Sequence, residues 1–273
     1  QGAGGQPRVC EVVVANPHQT RAIAAAKIKT GEVDALVLAQ LLRCDYLPRV
    51  WQPDPATQGL RALASRRAVL TAERTRLKNR PHAVLHQALL APPVANLFGV
   101  VGRAWLRTVA LAPAARAAAD SDLRLLAVVE QELGRLQHAQ AQAAQAEPRI
   151  RLLMTLAGAD VAVDQALVAV LGDPTRFREG ARAASYLGLV PSTRQSAAHC
   201  YHGPITKRGA SHARWLLVQA AQHLDRHPGP LGVFFRRLAA RKNRNVAVVA
   251  TARKLLRDKY FEAHVGISGA NVV

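Results

Sequence analysis

The spacing of apolar and polar positions predicts a chain built mostly from helices, with little extended structure. Val9 to Ala15 is a β-rich run closed by Asn16-Pro17, hence one strand and a turn. Gln19 to Lys29 and Glu32 to Arg43 read as helices, the second with Thr30 as its N-cap. Val50-Trp51, held between Pro48 and Pro53, is a short extended piece. Pro55 to Arg80 is a long helical pattern that Pro81 is expected to kink or break. Between Asp122 and Glu147, Leu126, Val129, Leu133 and Leu136 alternate spacings of three and four, a short coiled-coil-like seam. The seam fades into the Ala/Gln tract Ala139–Ala146 and stops at Pro148, which reads as a domain boundary. Leu152–Ala157 and Val161–Leu171 flank a Gly158-Ala159-Asp160 turn, and the second run ends at Gly172-Asp173-Pro174. Two short helices around a tight turn make either a helix-hairpin-helix that offers N–H groups to phosphate or a plain αα-hairpin. Spacing leaves both open.

Composition narrows the class. At 273 residues the chain has room for one large domain or two modest ones. A hydrophobic content of 49% suffices for a packed core, and the 4% aromatic content with abundant Ala, Leu and Arg favours helix over sheet. No apolar run reaches the length of a membrane span, and the first residues lack a signal-peptide pattern. Cys10, Cys44 and Cys200 form no C-x-x-C pair, so they read as reduced thiols in a cytoplasmic protein.

Charge changes the picture most. The formal net charge is +19, which calls for a polyanionic partner, and nucleic acid is the first candidate. The charge is patterned: Leu60 to Leu90 carries a net +6 and Tyr201 to Glu262 a net +10, whereas Ala91 to Pro148 is neutral. Two basic blocks joined by a neutral spacer predict two nucleic-acid-facing surfaces on a scaffold, with Arg74, Arg76, Lys78 and Arg80 in the first block.

One polar stretch invites chemistry: Pro191 to Arg214, PSTRQSAAHCYHGPITKRGASHAR, read as a loop ahead of a helix over Ala213–Leu224. Arg194, Lys207, Arg208 and Arg214 surround several hydroxyls there, an arrangement suited to holding a phosphodiester. Ser192, Ser196 and Ser211 are each candidate nucleophiles, as well as ordinary turn or cap residues. His199, Cys200, His202 and His212 miss the usual zinc spacings. In Lys29-Thr30-Gly31-Glu32-Val33-Asp34-Ala35, carboxylates three apart would share one helix face and a divalent cation. Gly31 leaves only Asp34 on that face, so the acids also read as complements to a helix N-terminus.

At these segments the chain resembles the transposases of the insertion sequence 110/116/902 type, over about Val9 to Leu256. The matching segments are VVVANP (Val12–Pro17), KTGEVDALVLAQLL (Lys29–Leu42), RTRLKN (Arg74–Asn79), GDPTRF (Gly172–Phe177), YLGLVPSTRQS (Tyr186–Ser196), HGPITKRGASHAR (His202–Arg214), PGPLGVFF (Pro228–Phe235) and AVVATARKLL (Ala247–Leu256). The resemblance implies an RNase H-like (RuvC-like) domain whose four acids bind Mg²⁺, a helical coiled coil, and a C-terminal domain with a nucleophilic Ser. It also implies an oligomer acting on DNA under a guide RNA from the element, in the bacterial cytoplasm at the nucleoid. Asp34 matches the last acid and Ser196 the nucleophile, while Gly31 stands where the third acid is expected and Ala197 where a Gly usually follows. The first two acids fall before the strand near Val9, so the chain reads as an N-terminally truncated copy.

The expected fold is therefore mainly α, with a truncated α/β piece in 1–90, a helical or coiled-coil linker in 91–148, an all-α C-terminal domain in 149–262 and a tail in 263–273. The expected functional residues are Ser196 and Asp34 for catalysis, Asp34 for metal, and Lys29, Arg74, Arg76, Lys78, Arg80, Arg194, Lys207, Arg208 and Arg214 for nucleic acid. An active DNA recombinase and a catalytically dead nucleic-acid-binding remnant are the competing functions. A purely structural coiled coil would leave the charge unexplained.

Overall fold

The computed structural model describes residues 11–23, 30–155, 160–196 and 199–262, and the chain divides into two compact units, 1–54 and 55–273. It is mainly helical, as the apolar spacing predicts.

In the first unit, α1 (Pro17–Ile23) begins where the Asn16 side chain accepts hydrogen bonds from the His18 and Gln19 amides at 3.0 and 3.3 Å. The described part of the expected strand, from Glu11, makes only one β-bridge, Ala15 opposite Arg49. A strand over Val9–Ala15 is thus corrected to an extended segment, because within the described residues its only ladder partner is the short run around Arg49. Val9 and Cys10, together with Lys29, lie outside the described residues. Helix α2 (Gly31–Arg43) starts as expected at Thr30, whose hydroxyl accepts the Val33 amide at 3.3 Å. It buries none of its residues.

The second unit is framed by two long helices, α3 (Pro55–Gln87) and α5 (Pro113–Ala146). Arg80 pairs with Asp122 and Lys78 with Glu130, while Leu60 shares a core with Ala143 and Ala144, so the two helices run antiparallel. Along α5 the buried positions Ala119, Leu126, Leu133 and Gln140 fall seven apart, the period of a coiled-coil seam. The seam closes on α3 of the same chain. Pro81 does not break α3, which corrects the expected break. Its ring is buried between Leu77 and Leu85, and packing at these positions outweighs the roughly 3 kcal/mol that an interior proline costs. A short helix, α4 (Val100–Thr108), folds Leu97 and Leu106 onto Leu85 to form a satellite cluster.

The main core gathers α6 (Pro148–Met154), α7 (Val161–Leu171), α8 (Gly180–Tyr186), α9 (Ser211–His223), α10 (Pro230–Arg241) and α11 (Arg244–Leu256) against the ends of α3 and α5. Helix α7, with Asp160 capping the Val163 amide at 3.0 Å, is buried almost all round. Its one carboxylate, Asp164, meets Lys259 at 2.9 and 3.1 Å, both side chains lying in the interior. Burial pushes the Asp164 carboxyl up, and the Lys259 hydrogen bond and charge oppose that rise. Tyr260 donates to the Gly172 carbonyl, and burial raises its phenol well above the ordinary value of 10.0. Among the described residues no helix is long and apolar enough to cross a membrane.

The C-terminal part is not all-α. Two antiparallel strands, β1 (Pro191–Ser196) and β2 (His199–Ile205), form a hairpin with a bulge between Pro191 and Thr193. The stretch that reads as a loop contains Pro191, Gly203 and Pro204, which oppose helix, and Thr193, Tyr201 and Ile205, which fit a pleated ribbon. Gly188 turns the chain out of α8 at φ +66°, where an added Cβ would lie 2.4 Å from the Arg208 amide nitrogen. That close approach lets the Lys207 amide donate to the Gly188 carbonyl at 3.2 Å and ties the hairpin base to the core.

Candidate nucleic-acid interface

Ser196 is the last residue of β1, exposed, and pairs directly with His199 across the hairpin end. Cross-strand partners share a face, so Ser196, His199 and Tyr201 lie on one side of the ribbon. Thr193, Gln195, Cys200 and His202 lie on the other, where the Thr193 hydroxyl meets His202 Nδ1 at 3.1 Å and Cys200 Sγ meets Nε2 at 3.8 Å. Ser192 instead donates to the Pro204 carbonyl at 3.0 Å, and Ser211 opens α9. Of the three serines that the sequence offered, Ser196 alone stands at the hairpin's free end.

Register separates Ser196 from two of its expected neighbours. Lys207 and Arg208 follow β2 and sit at the hairpin base, both exposed. At about 3.3 Å per residue, the five steps from Pro191 to Ser196 put the tip roughly 16 Å from that base. Arg214 points inward and donates to the Leu187 and Arg208 carbonyls at 2.9 and 3.0 Å, so it braces the base. Arg194 is paired with Tyr201 in the ladder.

The basic block of α3 divides its labour. Arg80 pairs with Asp122 at 3.1 Å, and Lys78 with Glu130 at 3.5 Å while lying over the Phe98 ring. Glu130 also takes Arg103 at 2.6 Å. Desolvation alone would raise the Glu130 carboxyl, but the Arg103 hydrogen bond and the Arg103 and Lys78 charges hold it below its ordinary value of 4.5. Arg76 is exposed with Glu73 one turn away at 2.9 Å, and Arg74 lines a cleft between helices. Two of these four cations thus lock α3 onto α5.

The second basic block, which the charge pattern places over Tyr201 to Glu262, forms a surface whose members sequence reasoning did not single out. Arg237 of α10 and Arg253 and Lys254 of α11 converge with Arg257 and Phe234 around a hollow of about 520 Å³ beside Gly180. Lys254 and Arg257 share Asp258 at 2.9 and 3.3 Å. Nearby, the Arg176 guanidinium lies over Phe177 and Tyr186, with centroid distances of 5.0 and 5.6 Å. The available signal was helical spacing: Arg253 and Arg257 are one turn apart, but only packing brings Arg237 to them.

Asp34 is exposed in the first turn of α2 beside Glu32. Among the described residues no group of three His, Cys, Asp or Glu side chains is placed to hold a metal ion. One carboxylate and a glycine do not fit a Mg²⁺ site. Space for a side chain at position 31 exists, since a Cβ on Gly31 meets nothing within 4 Å.

A mainly helical protein with such cationic surfaces is of the class that meets a polyanion. The comparisons say which kind. Residues 6–89 match the DEDD transposase model of the IS110 type, and residues 150–233 match the transposase model of the IS116/IS110/IS902 family. A protein named as a family 20 transposase in Pseudomonas aeruginosa is 29% identical over 136 residues, covering 48% of this chain and 40% of that protein. A protein named as transposase y4qE in Sinorhizobium fredii is 28% identical over 213 residues, covering 77% of this chain and 52% of that protein. The chain therefore spans about half the length, or less, of these curated relatives. It belongs to the IS110/IS116/IS902 family of insertion-sequence transposases.

Proposed function

We propose that this chain acts in DNA transposition, binding DNA through its cationic surfaces and attacking a phosphodiester with Ser196. The observation that carries the reading is the exposed hairpin end, where Ser196 faces His199 across the ladder. A phosphoryl nucleophile needs access and a group to take its proton, and the His199 imidazole across the ladder can serve as that group. In the step, Ser196 Oγ gives up its proton and bonds to phosphorus, and the displaced deoxyribose oxygen leaves as a hydroxyl. The ester bond is exchanged, so the reverse attack rejoins a strand. An RNA from the element, an oligomeric state and a nucleoid location complete this reading, with 1–90, 91–148 and 149–262 as its three functional parts. Lys207 and Arg208 then hold DNA at the hairpin base, and further copies of the chain supply charge at the tip.

A second reading is favoured by one observation: among the described residues Asp34 belongs to no group of three side chains placed to hold a metal ion. On it the chain binds nucleic acid without exchanging strands. Trapping of a covalent protein–DNA adduct, in strand-exchange mixtures containing the element's RNA, separates the two. An adduct that Ser196→Ala abolishes supports the first reading. An adduct that survives Ser196→Ala removes the nucleophile assignment. Salt-sensitive binding without any adduct supports the second.

A further inference from the structure

A cleft of about 570 Å³ opens between α3, α5 and α9, on the far side of α9's residues from the buried Leu217. That volume lies in the range of small-ligand pockets of roughly 300–1,000 Å³ and is ample for a nucleotide. Its two long walls differ in chemistry. Along α3, Arg67 and Arg74 stand two helical turns apart on one face. Along α9, Trp215, Gln219 and His223 repeat every fourth residue and form a second stripe. Gln137 of α5 also lines the space. Asp160 lines the cleft as well, but its carboxylate is engaged with the Val163 amide as the α7 cap.

Trp215 is the unusual feature. It is 46% exposed although its neighbours Leu216 and Leu217 are buried. His212 stacks on it at 5.9 Å with an interplanar angle of 17°, so the indole is backed and held in place. A fixed aromatic plate, amide groups that can donate and accept, and two guanidinium forks are the three kinds of contact an unpaired nucleotide offers partners for.

We infer that the cleft takes one unpaired nucleotide, its base stacked on Trp215, its edge met by Gln137 and Gln219, and its phosphate held by Arg67 and Arg74. This rests on the nucleic-acid reading above and adds to it a site for a base outside a duplex. Stacking makes such a site tolerant of sequence, and the forks make it salt-sensitive.

The test compares short probes on the full chain: dT8, rU8 and an eight-unit abasic strand of equal charge, and a GC duplex. Fluorescence anisotropy gives affinities, and quenching of tryptophan emission reports stacking. The native chain is expected to bind dT8 or rU8 about ten-fold tighter than the abasic strand, a margin of the size of one aromatic stack. Whichever of the two binds tighter identifies the strand as DNA or RNA. Trp215→Ala should shrink the margin to within about two-fold while leaving abasic and duplex affinities unchanged, and Trp215→Phe should keep most of it. Equal affinity of the native chain for base-bearing and abasic strands overturns the inference, without any variant having to fold. So does a Trp215→Ala variant that weakens all probes alike. Binding of the duplex and abasic strand at equal strength to dT8 and rU8 would leave the nucleic-acid reading intact while removing this site. Failure of the native chain to bind any probe would remove both.

Discussion

The two compact units of this chain use similar materials and reach different ends. In the first, α2 has helical apolar spacing and a good N-cap, yet Leu36, Leu38 and Leu42 are all exposed and none of its residues is buried. In the second, α7 has a comparable cap and is buried almost completely, with helices from both sides of the sequence around it. Local signals make a helix in both places. Tertiary packing, which supplies most helical stability in proteins, is present in only one.

The largest test of this contrast lies at the buried ion pair. Lys259→Ala leaves the Asp164 carboxyl without its partner in the core, and should lower unfolding free energy by about 3–5 kcal/mol in urea titrations. Replacing both partners, Asp164→Leu with Lys259→Met, should recover most of that loss, because removing a buried pair together leaves no orphaned charge. A cost under about 1 kcal/mol for Lys259→Ala would show that the second unit does not rely on this centre.

Matched leucine truncations give the next effect. Leu153 is wholly buried in α6, and Leu153→Ala should cost about 2–5 kcal/mol. Leu36→Ala in α2 should stay within about 0.5 kcal/mol, and a larger change would mean that Leu36 is covered in solution. Hydrogen exchange should rank the units likewise, with α2 amides exchanging well before those of α7.

Acid provides a smaller perturbation. Burial, with Arg67 nearby, holds the His212 imidazole below its ordinary 6.5. The unfolded chain then binds that proton more readily, so the linked stability is present above about pH 6.5 and lost as the pH falls toward the folded value. His212→Gln should flatten the fall in melting temperature between pH 7 and 5. Glu130, also lowered, contributes stability above about pH 4.5 that goes as acid reaches its folded value, and Glu130→Gln should remove that second slope. The smallest effect is at the surface: Arg76→Ala breaks an exposed pair with Glu73 and should cost no more than about 0.5 kcal/mol.

Much of this was legible in residues alone. Thr30 as a cap, α7 ending at Gly172, and the seam of α5 all follow from rules that act within a few residues or along one helix face. Membership of the family was legible too, because ordered motifs such as GDPTRF and YLGLVPSTRQS survive in sequence. The choice between loop and hairpin for 191–205 was not, since a two-stranded polar ribbon has no strong periodic signal. Nor was the fate of Pro81, which only the burial around it decides.

The site divides in the same way. The charge, the hydroxyl-rich segment that holds Ser196 and the glycine at position 31 were determined by residue identity, because they depend only on which residues are present. Which cations remain available to a partner was decided by the tertiary structure. Lys78 and Arg80 read the same as Arg74 and Arg76 along α3, yet Glu130 and Asp122 wait for them on α5 some 40–50 residues away. Long-range pairs of that kind arise when two helices dock in one register. The same docking brings Arg67 and Arg74 opposite Trp215, across a cleft that no stretch of the sequence contains.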